Sequence, residues 1–239
     1  MKKCLCVAAL SAMFMISAMP VMAEGEEESV SFEVGADVVS AYIWRGQDFK
    51  GFSVQPSATV TFNKPGISFG VWGSAELFQM SQFANMSEFD LLLSWSPVDA
   101  LSIGVTDYHF CVGSYIRDWD FSATSVHNLE ANLSYDFGPL AIAWNTVLTG
   151  FDYNAKGKRA YSTYVEVTAP FTLGDVECTG IVGLLPWEDC FTTAGYNTGF
   201  NVCNLSLKAE KKVKDIPLFG QIIYNPQSEG TYFVFGVSF

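Results

Sequence analysis

The sequence predicts an all-β fold: a transmembrane antiparallel up-and-down β-barrel of about twelve strands, with short periplasmic turns and long extracellular loops. Three observations predict it. Residues along most of the chain alternate apolar and polar with period two, which only opposite faces of a pleated strand produce. The connections alternate short and long, the plan of an outer-membrane barrel. Charged residues make up only 16% of the 239-residue chain, where soluble domains carry about 25%.

Residues 1–23 read as a cleaved secretory signal. Lys2 and Lys3 open it, an apolar run from Cys4 to Ala18 follows, and Val21-Met22-Ala23 offers a small-x-small cleavage site. A transmembrane helix needs a longer run, and Pro20 interrupts this one. Residues 24–30 form a short acidic arm carrying Glu24, Glu26, Glu27 and Glu28. The barrel is expected over 31–239, and both termini are then periplasmic. The formal net charge of -12 argues against a nucleic-acid partner, which selects basic surfaces. The apolar content of 49% argues against disorder.

Twelve strands are expected near residues 31–43, 53–63, 67–77, 87–95, 101–110, 127–136, 140–149, 161–169, 176–185, 199–210, 216–224 and 231–239. The second shows the pattern well: Val54, Ala58, Val60 and Phe62 oppose Gln55, Ser57, Thr59 and Thr61. Short connections such as Asn63-Lys64-Pro65-Gly66 and Asp136-Phe137-Gly138-Pro139 carry Pro, Gly and Asp, as tight turns require. About ten residues at about 3.3 Å each, tilted near 40°, climb about 25 Å, the height of an outward apolar band. In lipid every backbone group must pair inside the protein, and a closed sheet leaves no edge. The rival soluble sandwich usually fills its polar faces with Lys and Glu. Here they are mostly Ser, Thr, Asn and Gly. The final strand ends Phe235-Gly-Val237-Ser-Phe239, like the terminal signal read by the outer-membrane insertion machinery of Gram-negative bacteria.

Phase assigns the inward residues. Glu33, Asp37, Glu76, Glu88, Asp90, Glu130, Glu166 and Glu177 face the lumen as acids, with Arg45 and Lys208 as the cations. An acidic lumen favours cations and repels anions. Trp72, Tyr108 and Tyr164 also face inward as a candidate constriction. Arg45, at the top of the first strand, has two readings: a clamp for a loop or ligand carboxylate, or a structural partner of an acid such as Glu76. Trp44, Trp95, Tyr135, Trp144 and Tyr224 sit near strand ends as interfacial girdle residues. Cys178 and Cys203 take the outward phase on neighbouring strands, out of register for a bridge. Cys111 and Cys190 lie in or beside long loops, where a disulfide between loops is one option. His109 and His127 flank the third long connection with Ser114, Ser122 and Ser125. A hydrolase would need a Ser and a His on adjacent strands with a third polar group orienting the ring, and nothing in the sequence fixes that geometry. No metal or cofactor motif is present.

Two stretches resemble the TorF-like porin family of bacterial outer-membrane proteins. The first is Ser40-Ala41-Tyr42-Ile43-Trp44-Arg45-Gly46-Gln47. The second is Gly70-Val71-Trp72-Gly73-Ser74-Ala75-Glu76 with Glu88-Phe89-Asp90, followed by Gly104-Val105-Thr106-Asp107-Tyr108. The likeness is best over 31–148. Where the family often has Tyr-Pro, this chain has His109-Phe110. The resemblance implies a monomeric outer-membrane barrel and little chemistry. The expected function is passive diffusion of small neutral or cationic solutes, without a cofactor. The expected partners are outer-membrane lipid, lipopolysaccharide and the insertion machinery. The alternatives are a closed barrel whose loops bind a partner or ligand, an outer-membrane enzyme, and a soluble carbohydrate-binding sandwich.

Overall fold

The computed structural model describes residues 29–49, 51–78, 86–112, 127–192 and 199–239, without the side chains of residues 86, 87, 111 and 112. The signal, most of the acidic arm, Ser114, Ser122, Ser125 and the Cys111 side chain fall outside that description.

Every described element is a strand. In chain order they are β1 (Val30–Val39), β2 (Ile43–Trp44), β3 (Gln47–Asp48), β4 (Ser53–Phe62), β5 (Ile67–Glu76), β6 (Met86–Val98), β7 (Leu101–Val112), β8 (His127–Asp136), β9 (Ala141–Val147), β10 (Thr163–Leu173), β11 (Val176–Leu185), β12 (Asn201–Val213), β13 (Ile216–Asn225) and β14 (Gly230–Ser238). Twelve of them close into one barrel, each paired antiparallel with its sequence neighbour, and β1 lies between β4 and β14. The remaining pair, β2 and β3, is a small separate hairpin.

Sidedness follows the two-residue period. Phe233 and Phe235 are 62% and 66% exposed on the outer face, while Val234 between them is buried. The same split puts Ile103, Leu133, Leu205, Leu207 and Ile222 outside and Thr106, Glu130, Asn204 and Lys208 in the buried interior. Two stacked sheets would have tucked Phe233 and Phe235 into a shared core, so the soluble sandwich is excluded. Trp95, Tyr135, Trp144 and Tyr224 are outward and exposed.

Two expectations fail here. The first strand stops at Val39 rather than near residue 43, because the chain then turns into the barrel. Trp44 is therefore 5% exposed in the interior and is no girdle residue. Cys203 is also interior: the pairing of β11 with β12 shifts register between Gly183 and Leu184, and the added residue changes phase. Cys203 packs with Tyr164 and Leu185. Cys178, Cys190 and Cys203 are free thiols, so a bridge from Cys190 to another loop is not formed.

The turns of one rim are tight. Gly66, at φ 67°, closes the β4–β5 turn, its N–H donating to the Phe62 carbonyl and its own carbonyl accepting from Ser96 N–H at 2.7 Å. A Cβ at this position would collide with the Ser96 carbonyl. Gly66→Ala is expected to destabilise the barrel by about 1–3 kcal/mol, read from urea unfolding of the refolded chain in detergent.

Candidate functional site

The interior is built around the hairpin that follows β1. Ser40 leaves the wall, with its N–H donating to the Phe235 carbonyl at 2.8 Å and its Oγ accepting from Phe235 N–H at 2.9 Å. Residues 43–48 then double back as β2 and β3 through a two-residue turn, Arg45 at φ 51° and Gly46 at φ 80°. Positive φ at both central residues is the type I′ pattern that suits tight hairpins. Gly is required at the second position, because a Cβ there would run into the carbonyl of Cys203. Asn225 Nδ2 donates to the Gly46 carbonyl at 3.0 Å and ties the tip to β13.

Arg45 is the centre of the arrangement. Its guanidinium makes two parallel bonds to Glu130, Nη1 to Oε2 at 2.7 Å and Nη2 to Oε1 at 2.8 Å. The planar fork fits a carboxylate in this way. Trp44 and Tyr164 lie over the cation at 4.5 and 4.6 Å. Glu130 also accepts from Tyr108 OH and Asn132 Nδ2, both at 2.9 Å. The sequence alternative that paired Arg45 with Glu76 is therefore corrected. Glu76 ends β5 beside Gly51, whereas Glu130 comes from β8, on the wall the hairpin tip faces. Arg45 itself belongs to the hairpin and not to the first barrel strand.

Aromatic rings fill the space around this ion pair. Trp44 meets Tyr108 at 5.5 Å, and Phe191 reaches in from the segment after β11 to meet Trp44 at 5.7 Å and Tyr108 at 5.9 Å. Tyr42 stands 5.6 Å from Trp72 and donates its OH to Glu88 Oε2 at 2.8 Å. Trp72 and Tyr108 thus lie in one packed cluster, and Tyr164 stands across from them under Arg45. Tyr164 OH donates to Glu166 Oε2 at 2.6 Å and accepts from Asn204 at 3.2 Å. Asp90 is fully buried, and neither of its carboxylate oxygens has a side-chain partner among the described residues. Below the hairpin is a cavity of about 120 Å³ lined by Asp37, Gln55, Glu166, Asn204, Lys208 and Gln221. Lys208 pairs with Glu210 at 2.8 Å. Glu33, opposite Thr59, and Glu177, opposite Thr172, lie near the short-turn rim and are exposed. Phe235, Val237 and Phe239 lie on the closing seam.

The long connections on the other rim brace one another. Ser162 Oγ donates to Asp152 at 2.6 Å and accepts from Cys190 N–H at 2.7 Å, and Asn154 donates to Glu188 at 2.8 Å. Burial, with the Asp152, Glu188 and Asp189 carboxylates around it, pushes the Cys190 thiol up to about 11. Little thiolate is then available near neutral pH.

Sequence reasoning also missed a polar cluster outside the lumen. His109 and His127 are directly opposed on β7 and β8, with His109 Nδ1 2.9 Å from His127 Nε2 and His127 Nδ1 2.9 Å from Asp107 Oδ2. All three carry the outward phase of Ile103 and Val105. The signal was present in the alternation of β7, which puts 107 and 109 on the same face as 103 and 105. Among the described residues, no group of three His, Cys, Asp or Glu side chains is placed to hold a metal ion.

Removing Arg45 strands Glu130, which is buried on all sides. Arg45→Ala is expected to cost about 3–5 kcal/mol. The double variant Arg45→Ala with Glu130→Ala loses less than the sum of the singles by about 0.5–3 kcal/mol. Urea unfolding of the four proteins in detergent measures the cycle.

Three solved chains similar to this one are engineered forms of the porin of Rhodopseudomonas blastica: two of them tryptophan-bearing mutants and the third a variant in which charged residues are changed to alanine. Each is 14% identical, with a TM-score of 0.41, over 90% of this chain and 74% of the porin. No curated protein matches the chain. A model of the bacterial proteins of unknown function designated Gcw_chp matches residues 23–209, a span that includes the hairpin, Glu130 and the polar interior, and the chain belongs to that family.

Proposed function

We propose that the mature chain is an outer-membrane barrel and a narrow conduit for small neutral or cationic solutes. In this structure its upper lumen is filled by its own hairpin. The observation that carries the reading is the division of the closed barrel into an apolar outer face and an acid-rich interior. Such a wall suits lipid outside and polar solute inside. Asp37, Glu88, Asp90, Glu130 and Glu166 outnumber Arg45 and Lys208 within it, which favours cations. The TorF-like resemblance supports the same reading. So does the short-turn, long-loop asymmetry, with both termini at the short-turn rim that this reading takes as periplasmic. No catalytic role is assigned.

The packing of Tyr42, Trp44, Tyr108 and Phe191 in the mouth favours a second reading, a closed barrel that acts through its braced outer loops. Bilayer recordings distinguish the two. The refolded mature chain under a salt gradient is expected to show discrete, cation-preferring steps. Glu88→Gln with Asp90→Asn moves the reversal potential toward zero, and Arg45→Ala lengthens the open state. Absence of steps in wild type and Arg45→Ala alike overturns the conduit and leaves the closed barrel.

The membrane placement has its own test. Leu207 lies on the outer face midway along β12, opposite Gly180 and Ile222. Leu207→Arg is expected to destabilise the chain in lipid vesicles by about 2–4 kcal/mol. An unchanged urea midpoint would argue against lipid at that face.

A further inference from the structure

The outer wall carries a groove that ends on the Asp107 cluster. Strand pairing aligns Val34, Ala58, Val71, Leu91 and Asp107 in one row across five strands, β1 and β4 to β7. Ala58 is the smallest side chain in that row. Around it Phe32, Val60, Phe69, Leu93 and Val105 bound a depression of about 660 Å³, within the size range of small-molecule sites. Its lining is almost wholly apolar, and Asp107 stands at one end.

Asp107 is an unusual residue for that face. Ionisable groups turned toward lipid are costly and mark functional positions. One of its oxygens, Oδ2, is held by His127 at 2.9 Å. The other, Oδ1, is buried and has no hydrogen-bond partner among the described residues. A carboxylate oxygen accepts but cannot donate, so the complement of Oδ1 is a donor. A neutral hydroxyl is a better complement than an ammonium, since a buried charge adds desolvation cost.

We propose that this groove binds one lipid acyl chain bearing a hydroxyl near its polar end. The chain lies along the apolar row, and the hydroxyl donates to Asp107 Oδ1. His127 holds the carboxylate in position, and His109 holds His127. This inference rests on the reading of the outer face as lipid-facing, and not on conduction through the lumen.

Two neutral probes test it: methyl β-hydroxymyristate and methyl myristate, titrated onto the refolded chain in micelles and read by native mass spectrometry. Wild type is expected to bind the hydroxylated ester about tenfold more tightly, the strength of one hydrogen bond to a charged acceptor. Asp107→Leu removes the acceptor and brings the ratio close to one while both esters still bind. Ala58→Trp fills the groove away from the cluster and weakens both. Equal binding of the two esters to wild type, or undiminished binding to Ala58→Trp, overturns the proposal. The assay reads no current, so its failure leaves the conduit standing, and a barrel without conductance leaves the lipid site standing.

Discussion

A barrel is free of open edges only where its first and last strands pair, and here that requirement falls on the seam between β1 and β14. The β1–β14 register holds only Asp37 to Val39 against Gly236 to Ser238. Two further bonds join Ala36 and Phe239, N–H to carbonyl in both directions at 3.1 and 3.0 Å. Phe239 thus extends the seam with its backbone. Above the seam, β1 has left the wall. The hydroxyl of Ser40 stands in for a strand partner by accepting from Phe235 N–H. Closure and the inward hairpin compete for the same residues, and Ser40 is where the chain changes from one to the other.

The inward turn leaves Gly230 to Val234 of β14 without partners on β1, and the interior must offset that loss. It does so with a charge that has few places to go. Arg45 is satisfied by a carboxylate, two aromatic faces and little else. Any other seating of the hairpin would part the guanidinium from Glu130 and leave the buried carboxylate without its counter-ion. Buried ion pairs are weak evidence for stability. Here the pair acts as a specificity device: it selects one position of the hairpin among many that would bury the same aromatic surface. Asn225 on the Gly46 carbonyl adds a neutral bond from the opposite wall.

The barrel was legible because an apolar outer face and a polar interior impose a period of two over nine or more residues on most strands. Tight turns rich in Pro, Gly and Asp then marked one rim. The hairpin was not legible for a local reason. Ala41-Tyr42-Ile43-Trp44 is a continuous apolar run, equally compatible with a strand top and with a segment buried on both faces. Arg45-Gly46 was the available turn signal. The partner of Arg45 was beyond reach, since Glu130 is 85 residues away and eight acids shared its phase. Cys203 shows a different limit. Alternation carried through 199–210 gives it the outer face, and a one-residue bulge against Gly183 reverses that without altering composition.

Asp107 and His109 could look like an error of phase, two polar groups that a one-residue slip of β7 would return to the lumen, away from His127 on β8. The rest of β7 argues otherwise. The slip would carry Thr106 and Tyr108 outward, and Tyr108 OH bonds Glu130 at 2.9 Å while Thr106 Oγ1 bonds Asn132 Oδ1 at 2.8 Å. It would also bring Ile103 and Val105 into the polar interior. Register in a sheet is all or none along a strand, so the inner network that anchors Arg45 also holds the polar pair on the outer face. The two polar groups remain there because moving them would dismantle the Glu130 site. A wall position that carries such a cost is one where a ligand with a matching donor gains most, because it satisfies an acceptor that the fold cannot turn elsewhere.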